Sequence, residues 1–238
     1  GRTFEQRRVP GAGPTRSHLF ANSGIAVISQ GPLHILADVG PFGAGGAGHS
    51  HSDTLSFTMR SGDREILIDP GTYTYVADAK WRDWFRGSSA HNTIRIDGLD
   101  QADPAGPFRW ENKPDVRVRE WHAGEDRVLL DAECSYRGFT HRRRWTLGSE
   151  KLLIDDEVSG PPGEHRIERF WNCGEIPEQL SDREFRIGNV VLALDANSYP
   201  TLGHAWRSRT FGEKRENPVI QESSRTVLPF RSSAVFFL

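Results

Sequence analysis

The stretch that decides the fold is residues 43–75, GAGGAGHSHSDTLSFTMRSGDREILIDPGTYTY. A glycine-rich run leads into two apolar-alternating segments, LSFTMR and EILIDPG, and the turn signal RSGDRE separates them, which predicts an antiparallel hairpin. Because a strand has a period of two, we expect His49, His51 and Asp53 to share the buried face that also carries Phe57. The histidines would then lie at the mouth of the strand, where its buried face opens into a site.

The same short alternating pattern recurs along the rest of the chain. Further examples are HLFANSGIAVIS, LHILADVG, NTIRIDG, DVRVREW, RVLLDAECSY, HRRRWTLG, KLLIDDEVSG, NVVLALD and SAVFFL. No segment sustains a 3.6-residue period for long, and the best helical segment, ADAKWRDWFRGSS, is expected in a connection between strands. The sequence therefore predicts an all-β protein, a large antiparallel β-sandwich, in which residues 1–238 form a single domain.

Composition excludes several classes of partner. The formal net charge of −2 argues against nucleic acid or an anionic membrane as the main partner. No apolar run approaches the roughly 18 residues needed to span a bilayer, and no signal peptide is visible, so we expect no membrane insertion. Cys134 and Cys173 lie in different predicted strands and are expected to be free, buried thiols. The start, GRTFEQ, lacks Met, which indicates a removed leader or a piece of a longer chain.

Three residues have the chemistry of metal ligands. His51 would be joined by Asp69, at the end of the hairpin, and by His91, at the start of the next predicted strand. Two imidazoles and one carboxylate suit zinc. A polar cluster and a turn-initiating Asp69 are the alternatives. The cupin motif, which also begins with His-x-His on a β-sandwich, is excluded because this chain has leucine and serine where that motif requires glutamate.

The connection between Asp69 and His91 is rich in aromatic and basic side chains. It carries Tyr73, Tyr75, Trp81, Arg82, Trp84, Arg86 and Asn92. Aromatic rings with guanidinium groups suit a sugar that bears a carboxylate or sulfate, although a loop held in place by its own tryptophans is an equal alternative. The basic run Arg142, Arg143 and Arg144 is interpreted as a solvated strand face, since alternation turns the middle residue away from its neighbours.

Three blocks in this order, GHSHSDTLSF, LIDPGTYTY and WRDWFRGSSAHNTIRIDGLDQ, span residues 48–101 and resemble the heparinase II/III-like family of bacterial polysaccharide lyases. The resemblance implies β-elimination on uronate-containing polysaccharides, in which a base removes the C5 proton and an acid protonates the departing 4-oxygen. It implies His49 and Tyr75 as the acid/base pair, with Tyr73 as the second choice for the tyrosine. It also implies one structural zinc per chain, held by His51, Asp69 and His91, with Asp53 orienting a histidine. The weaker substrate-contact predictions are Tyr73, Arg82, Arg86 and Asn92.

Complete members of that family also carry an N-terminal α-helical toroid that neutralises the substrate carboxylate. No part of this sequence predicts such helices, so the resemblance is to the C-terminal β-sandwich alone. It implies an acidic polysaccharide and the missing helical domain as partners, and a periplasmic or secreted location in a bacterium. Two alternatives are a non-catalytic, metal-braced glycan-binding or structural sandwich, and a metal-dependent glycan hydrolase with an open zinc position.

Overall fold

The computed structural model describes residues 16–238. The first ten strands are β1 His18–Phe20, β2 Ile25–Gln30, β3 Leu33–Asp38, β4 Phe57–Ser61, β5 Arg64–Leu67, β6 Ile94–Ile96, β7 Asp103–Pro104, β8 Trp110–Glu111, β9 Asp115–Ala123 and β10 Val128–Tyr136. The others are β11 Phe139–Leu147, β12 Lys151–Ser159, β13 Glu164–Asn172, β14 Glu178–Gln179, β15 Glu184–Ile187, β16 Val190–Leu194, β17 Pro200–Arg207, β18 Arg215–Val227 and β19 Phe230–Phe237. Helix α1, Ala79–Phe85, and a 3-10 turn at Ser88–Ala90 lie between β5 and β6.

Within residues 16–238 the strands form four antiparallel sheets. Strands β1 to β5 make a five-stranded meander, and an eight-stranded sheet has the order β14-β15-β16-β19-β12-β11-β10-β9. A four-stranded sheet, β17-β18-β13-β6, and the small pair β7-β8 complete the fold. The predicted all-β antiparallel sandwich is confirmed. Residues 1–15 lie outside the described residues, and the single domain over 1–238 stays a prediction.

The core lies where the three large sheets meet. Phe57 of β4 makes edge contacts with Trp145 of β11, Trp171 of β13 and Phe236 of β19, at ring-centroid distances of 6.2, 6.2 and 6.3 Å. All four side chains are almost completely buried. Edge-to-face packing of large rings contributes beyond the area that it buries. The apolar half of the opening hairpin therefore fixes the position of the loops at its ends.

The hairpin forms as predicted, but its first strand begins later than the alternation suggested. Strand β4 starts at Phe57, and residues 49–56 form a loop instead of a strand. Leu55 has φ +62°, in the left-handed region, which ends any strand alternation before β4. The amide of Leu55 donates to the carbonyl of Asp38 at 2.9 Å, so the loop is held against the end of β3.

Three other expectations can be compared with the structure. The predicted helical segment is confirmed as α1, whose N-cap Asp78 accepts from the Trp81 amide at 3.1 Å. Cys134 and Cys173 are free and buried, as expected. The interpretation of the arginine run as a solvated face was wrong for Arg143, which is 0% exposed. No helix among residues 16–238 is long and apolar enough to cross a membrane.

Candidate metal and acid–base site

The loop at 49–56 is held by hydrogen bonds from distant segments. The Gln101 side chain accepts from the Thr54 amide at 3.0 Å and donates to the Thr54 carbonyl at 2.9 Å. Thr93 donates its hydroxyl to the same carbonyl at 2.9 Å, and the Ser52 amide donates to the Arg86 carbonyl at 2.8 Å. These bonds order an irregular segment that has no ladder partners, and so they fix the direction of its imidazoles.

His51 and His91 are brought together, with ring centroids 5.3 Å apart. One ligand atom from each of His51, Asp53 and His91 lies within 4.8 Å of the other two. The Nδ1 atom of His91 lies 2.9 Å from Oδ2 of Asp69, while its Nε2 atom is buried and has no hydrogen-bond partner. A buried imidazole nitrogen without a partner, beside a second imidazole and a carboxylate, fits a divalent-cation site.

The two carboxylates near these histidines, Asp53 and Asp69, make different contacts. Asp53, expected to orient a histidine, belongs to the close group of donors. Asp69, expected as a ligand, contacts Nδ1 of His91 and also accepts from the Gly71 amide at 2.8 Å. A carboxylate on the far side of an imidazole fixes its tautomer and orientation. Direct coordination by Asp69 stays a prediction.

Charges within the cluster shift its titration. Burial opposes the charged form of His91, but the Asp69 carboxylate outweighs burial and raises the His91 pKa. Despite the same opposition, His91 and the Gly71 amide lower the pKa of Asp69 to about 2. Burial, together with His91, lowers the pKa of His51. A neutral His51 is the form that can donate a lone pair to a metal.

Asp38 is a site residue that the sequence analysis missed. It lines a pocket of about 350 Å³ together with His49, His51, Asp53 and Asp69. Burial raises the pKa of Asp38 to about 7, and the neighbouring Asp53 carboxylate adds to the increase. One feature could have indicated Asp38: it is the last residue of β3, and β3 pairs with β4, the strand that follows the loop of His49 and His51.

His49 and Tyr75 also meet, at the edge of this pocket. Their rings form an edge contact with centroids 5.5 Å apart. Two aromatic side chains that the sequence analysis did not single out flank the pair. Phe108 lies 6.0 Å from the His49 ring and 5.5 Å from the Tyr75 ring, and Phe211 lies 5.4 Å from the Tyr75 ring. Phe108 is 49% and Phe211 61% exposed, and both lie in loops rich in glycine or polar residues.

Tyr73, the second choice for the tyrosine, lies in a different environment. Its ring stacks on Phe85 at 5.6 Å, and the Lys214 ammonium lies 5.5 Å from the ring centroid. The chain through Tyr73 and Tyr75 is not a strand, so strand alternation does not apply there. Of the two tyrosines, Tyr75 is the one that contacts His49.

The other three expected substrate-contact residues are used within the protein. Arg82 and Arg86 both bind the Asp83 carboxylate, and Arg86 also donates to the Gly106 and Pro107 carbonyls. Asn92 is 1% exposed, and its amide nitrogen donates to the carbonyls of Phe57 and Ile68. The structure does not bring these side chains to the pocket surface. Substrate contact by these three residues stays a prediction.

Comparisons with known proteins place this geometry in context. A family model described as "Heparinase II/III-like, C-terminal" matches residues 12–232. No curated protein matches the chain. A solved structure named "Heparinase III-BT4657 gene product" has a TM-score of 0.75 and 21% identity, and the match covers 93% of this chain and 36% of that one. The heparan sulfate lyase HepC from Pedobacter heparinus has a TM-score of 0.76 and 15% identity, with coverages of 94% and 36%.

A more distant structural neighbour is a 4-alpha-glucanotransferase from Thermococcus litoralis, with a TM-score of 0.56 and 10% identity over 95% of this chain and 42% of that one. At identities this low, the likeness to each of these structures shows a shared fold. The chain spans 36% of the length of the two heparinase structures, so it corresponds to one part of them.

Proposed function

Because this chain belongs to the heparinase II/III-like family, whose C-terminal model spans residues 12–232, we propose that it forms the acid–base face of a polysaccharide lyase active site. The proposed substrates are uronate-containing acidic polysaccharides. The observation that carries the proposal is the His49–Tyr75 contact at the edge of a pocket that is also lined by His51 and Asp53, the two residues grouped with the buried His91.

The proposed chemistry divides one elimination between two side chains. One member of the His49–Tyr75 pair takes the C5 proton next to the uronate carboxylate. The electron pair of the C5–H bond becomes the C4=C5 double bond, and the bond between C4 and its oxygen breaks. The other member of the pair gives a proton to that oxygen. The ring centroids of His49 and Tyr75 lie 5.5 Å apart, so one group can reach the C5 proton while the other reaches the oxygen on the adjacent C4.

The donor set supports a zinc ion held by His51 and His91 with a carboxylate from Asp53, or from Asp69 as the resemblance implies. When bound, the ion would supply a fixed cross-link and a positive charge beside the pocket. His49 lies in the same loop as His51, two residues before it. Ordering of that loop would therefore orient the proposed catalytic imidazole.

We also propose that Phe108 and Phe211 contact the sugar. Exposed phenyl rings on both sides of Tyr75 offer flat apolar surfaces to a pyranose ring. Phe108 is held in place although its side chain is exposed. The buried guanidinium of Arg86 donates to the Gly106 carbonyl at 2.8 Å, and the Trp110 indole donates to the Ser50 carbonyl at 2.9 Å. An exposed ring on a loop that is anchored on both sides, beside the acid/base pair, fits a substrate-positioning role.

The test uses the complete natural protein and a panel of heparan sulfate, chondroitin, alginate and bacterial uronate polysaccharides. Unsaturated uronate products, measured by their ultraviolet absorbance, are expected with at least one member. His49→Ala and Tyr75→Phe should each lower kcat by about a hundredfold or more. His204→Ala and Tyr199→Phe are the matched controls, because both residues are exposed and outside the pocket.

Three outcomes would contradict the proposal. Cleavage products without a double bond would indicate a hydrolase. Glycan binding and turnover that survive both substitutions would indicate a non-catalytic domain. No product from any member of the panel would contradict the lyase assignment itself. The periplasmic or secreted location and the helical partner domain stay predictions.

A further inference from the structure

A buried arginine connects the far sheet to the candidate site. Arg143 of β11 is 0% exposed. Its Nε and Nη2 atoms bind the two oxygens of Asp156 at 2.7 and 3.0 Å. Its Nη1 atom donates to the carbonyls of Leu55 at 2.8 Å and Asn92 at 2.6 Å. One guanidinium therefore joins a strand pair of the eight-stranded sheet to two separate loops.

Those two loops are the ones that carry the metal-ligand candidates. Leu55 follows Asp53 by two residues, and Asn92 directly follows His91. Leu55 is also a non-glycine residue in the left-handed region, at φ +62°, a conformation that costs free energy unless its surroundings hold it. The bond to its carbonyl is one such restraint. Arg143 thus acts on the backbone at both sides of the cluster.

We propose that Arg143 is a positioning residue that sets the spacing between the His51–Asp53 loop and His91, and thereby tightens the binding of a divalent cation such as zinc. This inference rests on the metal site proposed above. Arg143 lies more than fifty positions after His91 in the sequence, and its hydrogen bonds go to Asp156 and to the carbonyls of Leu55 and Asn92 instead of to the candidate ligand side chains. Supporting groups of this kind change metal affinity because they pre-organise the ligands.

The guanidinium is itself held firmly. Asp156 also accepts from His141 at 2.7 Å and from Arg169 at 3.3 Å. Burial opposes the charged form of Asp156, but Arg143 and His141 outweigh burial and hold the Asp156 pKa far below its ordinary range. Only a planar, forked group can bind a carboxylate through two nitrogens and reach two carbonyls through a third. Lysine keeps the positive charge but cannot make this set of bonds.

Arg169 supplies a matched comparison. It is 2% exposed and also donates to Asp156, but its other hydrogen bonds, at 2.7 Å each, go to Glu222. Replacing either arginine by lysine perturbs the same buried network. Only the change at Arg143 removes the link to the loops at Leu55 and Asn92.

The experiment compares Arg143→Lys with Arg169→Lys in the complete protein. Zinc affinity is measured by competition with a chromophoric chelator, well below the melting temperature of each variant. Both variants should melt at a lower temperature than the wild type. Arg143→Lys should raise the Kd for zinc by about tenfold or more, and Arg169→Lys should leave the Kd within about twofold of the wild-type value.

A second pair keeps the test decisive if Arg143→Lys does not fold. Asp156→Asn removes the negative charge that binds the Arg143 guanidinium, and Glu222→Gln makes the equivalent change at the partner of Arg169. Zinc affinity should fall in the first and not in the second. An unchanged Kd in folded Arg143→Lys, or equal losses across either pair, would overturn the positioning role while leaving the metal site standing. A wild-type protein that binds no divalent cation would overturn both.

Discussion

Gly48 shows how a single residue shapes the site. A methyl group there would lie 3.0 Å from the Phe108 carbonyl oxygen and 3.2 Å from the Phe108 Cβ atom. The glycine-rich run therefore lets its backbone approach the loop that presents Phe108 beside His49. The glycine-rich run predicted a close backbone approach, and at Gly48 that approach is to Phe108, a residue of the proposed sugar-binding surface.

We predict that Gly48→Ala raises KM in the complete protein by about threefold or more, because displacing Phe108 removes part of a ring contact with the sugar. The control is Gly148→Ala, since the nearest atom to a methyl group at Gly148 is the Lys151 carbonyl oxygen at 4.0 Å. Steady-state kinetics on the active polysaccharide provides the measurement. If both variants keep the wild-type KM, Phe108 does not position the substrate.

Asn92 is expected to matter for stability instead of catalysis. Its side chain donates to the carbonyls of Phe57 and Ile68 and accepts from the Asn172 amide at 2.6 Å, all in the interior. Asn92→Ala would leave these groups without partners, so we predict a loss of about 3 kcal/mol in the free energy of unfolding, measured with urea. Asn189→Ala, which removes one bond to Ser61 at an exposed position, should cost about 1 kcal/mol or less. Equal losses would contradict this role.

At the scale of the elements, the period-two pattern predicted the strands but not which face is buried. In β11, His141, Arg143 and Trp145 lie on the inner face. Alternation correctly separated Arg143 from its neighbours. Its burial depends on Asp156, the cross-strand partner in β12, and that register is not visible in either segment alone. A charged residue can occupy a core position when a partner from another strand neutralises it.

The outer face of the same strands leads to a prediction about pH. Asp131 of β10 binds Arg142 at 2.8 Å and Arg144 at 2.7 Å. Burial works against its charge, but these two arginines outweigh burial and lower the Asp131 pKa. These two ion pairs thus stabilise the fold at pH values above the unfolded-state pKa of aspartate, about 4. Their stabilisation is lost as the pH falls through the pKa of Asp131 in the folded state.

We predict that Asp131→Asn lowers stability at pH 7 but flattens its decline in acid, because the variant has no carboxylate there to protonate. Urea midpoints of both proteins, measured from pH 7 down to about pH 2.5, make the comparison. The two curves should approach each other as the pH falls. Parallel curves over this range would mean that the ion pairs at Asp131 contribute no stability.

Across the whole molecule, the site is assembled from loops that are far apart in sequence. His49 and His51 precede β4, Asp69 follows β5, and Phe108 lies between β7 and β8. Phe211 comes from the β17–β18 connection and reaches Tyr75 because the Gly212 amide donates to the Tyr73 carbonyl at 2.8 Å. The sequence indicated the members that lie within one compact run of motifs. It could not indicate Phe108 and Phe211, whose place depends on sheet packing alone.

Zinc should stabilise the whole fold, since the candidate ligands join loops from separate parts of the chain. Saturation at a hundredfold excess over Kd would add about 2.7 kcal/mol, which corresponds to a rise of roughly 5–10 °C in melting temperature for a chain of this length. We predict about one zinc per chain by elemental analysis and a fall in melting temperature on chelation. His51→Ala and His91→Ala should abolish both the bound zinc and the response to the chelator, while the exposed His204→Ala should keep them. A metal-free protein whose melting temperature is the same with zinc and with chelator would mean that His51, Asp53 and His91 form a polar cluster, and the proposed function would then depend on His49 and Tyr75 alone.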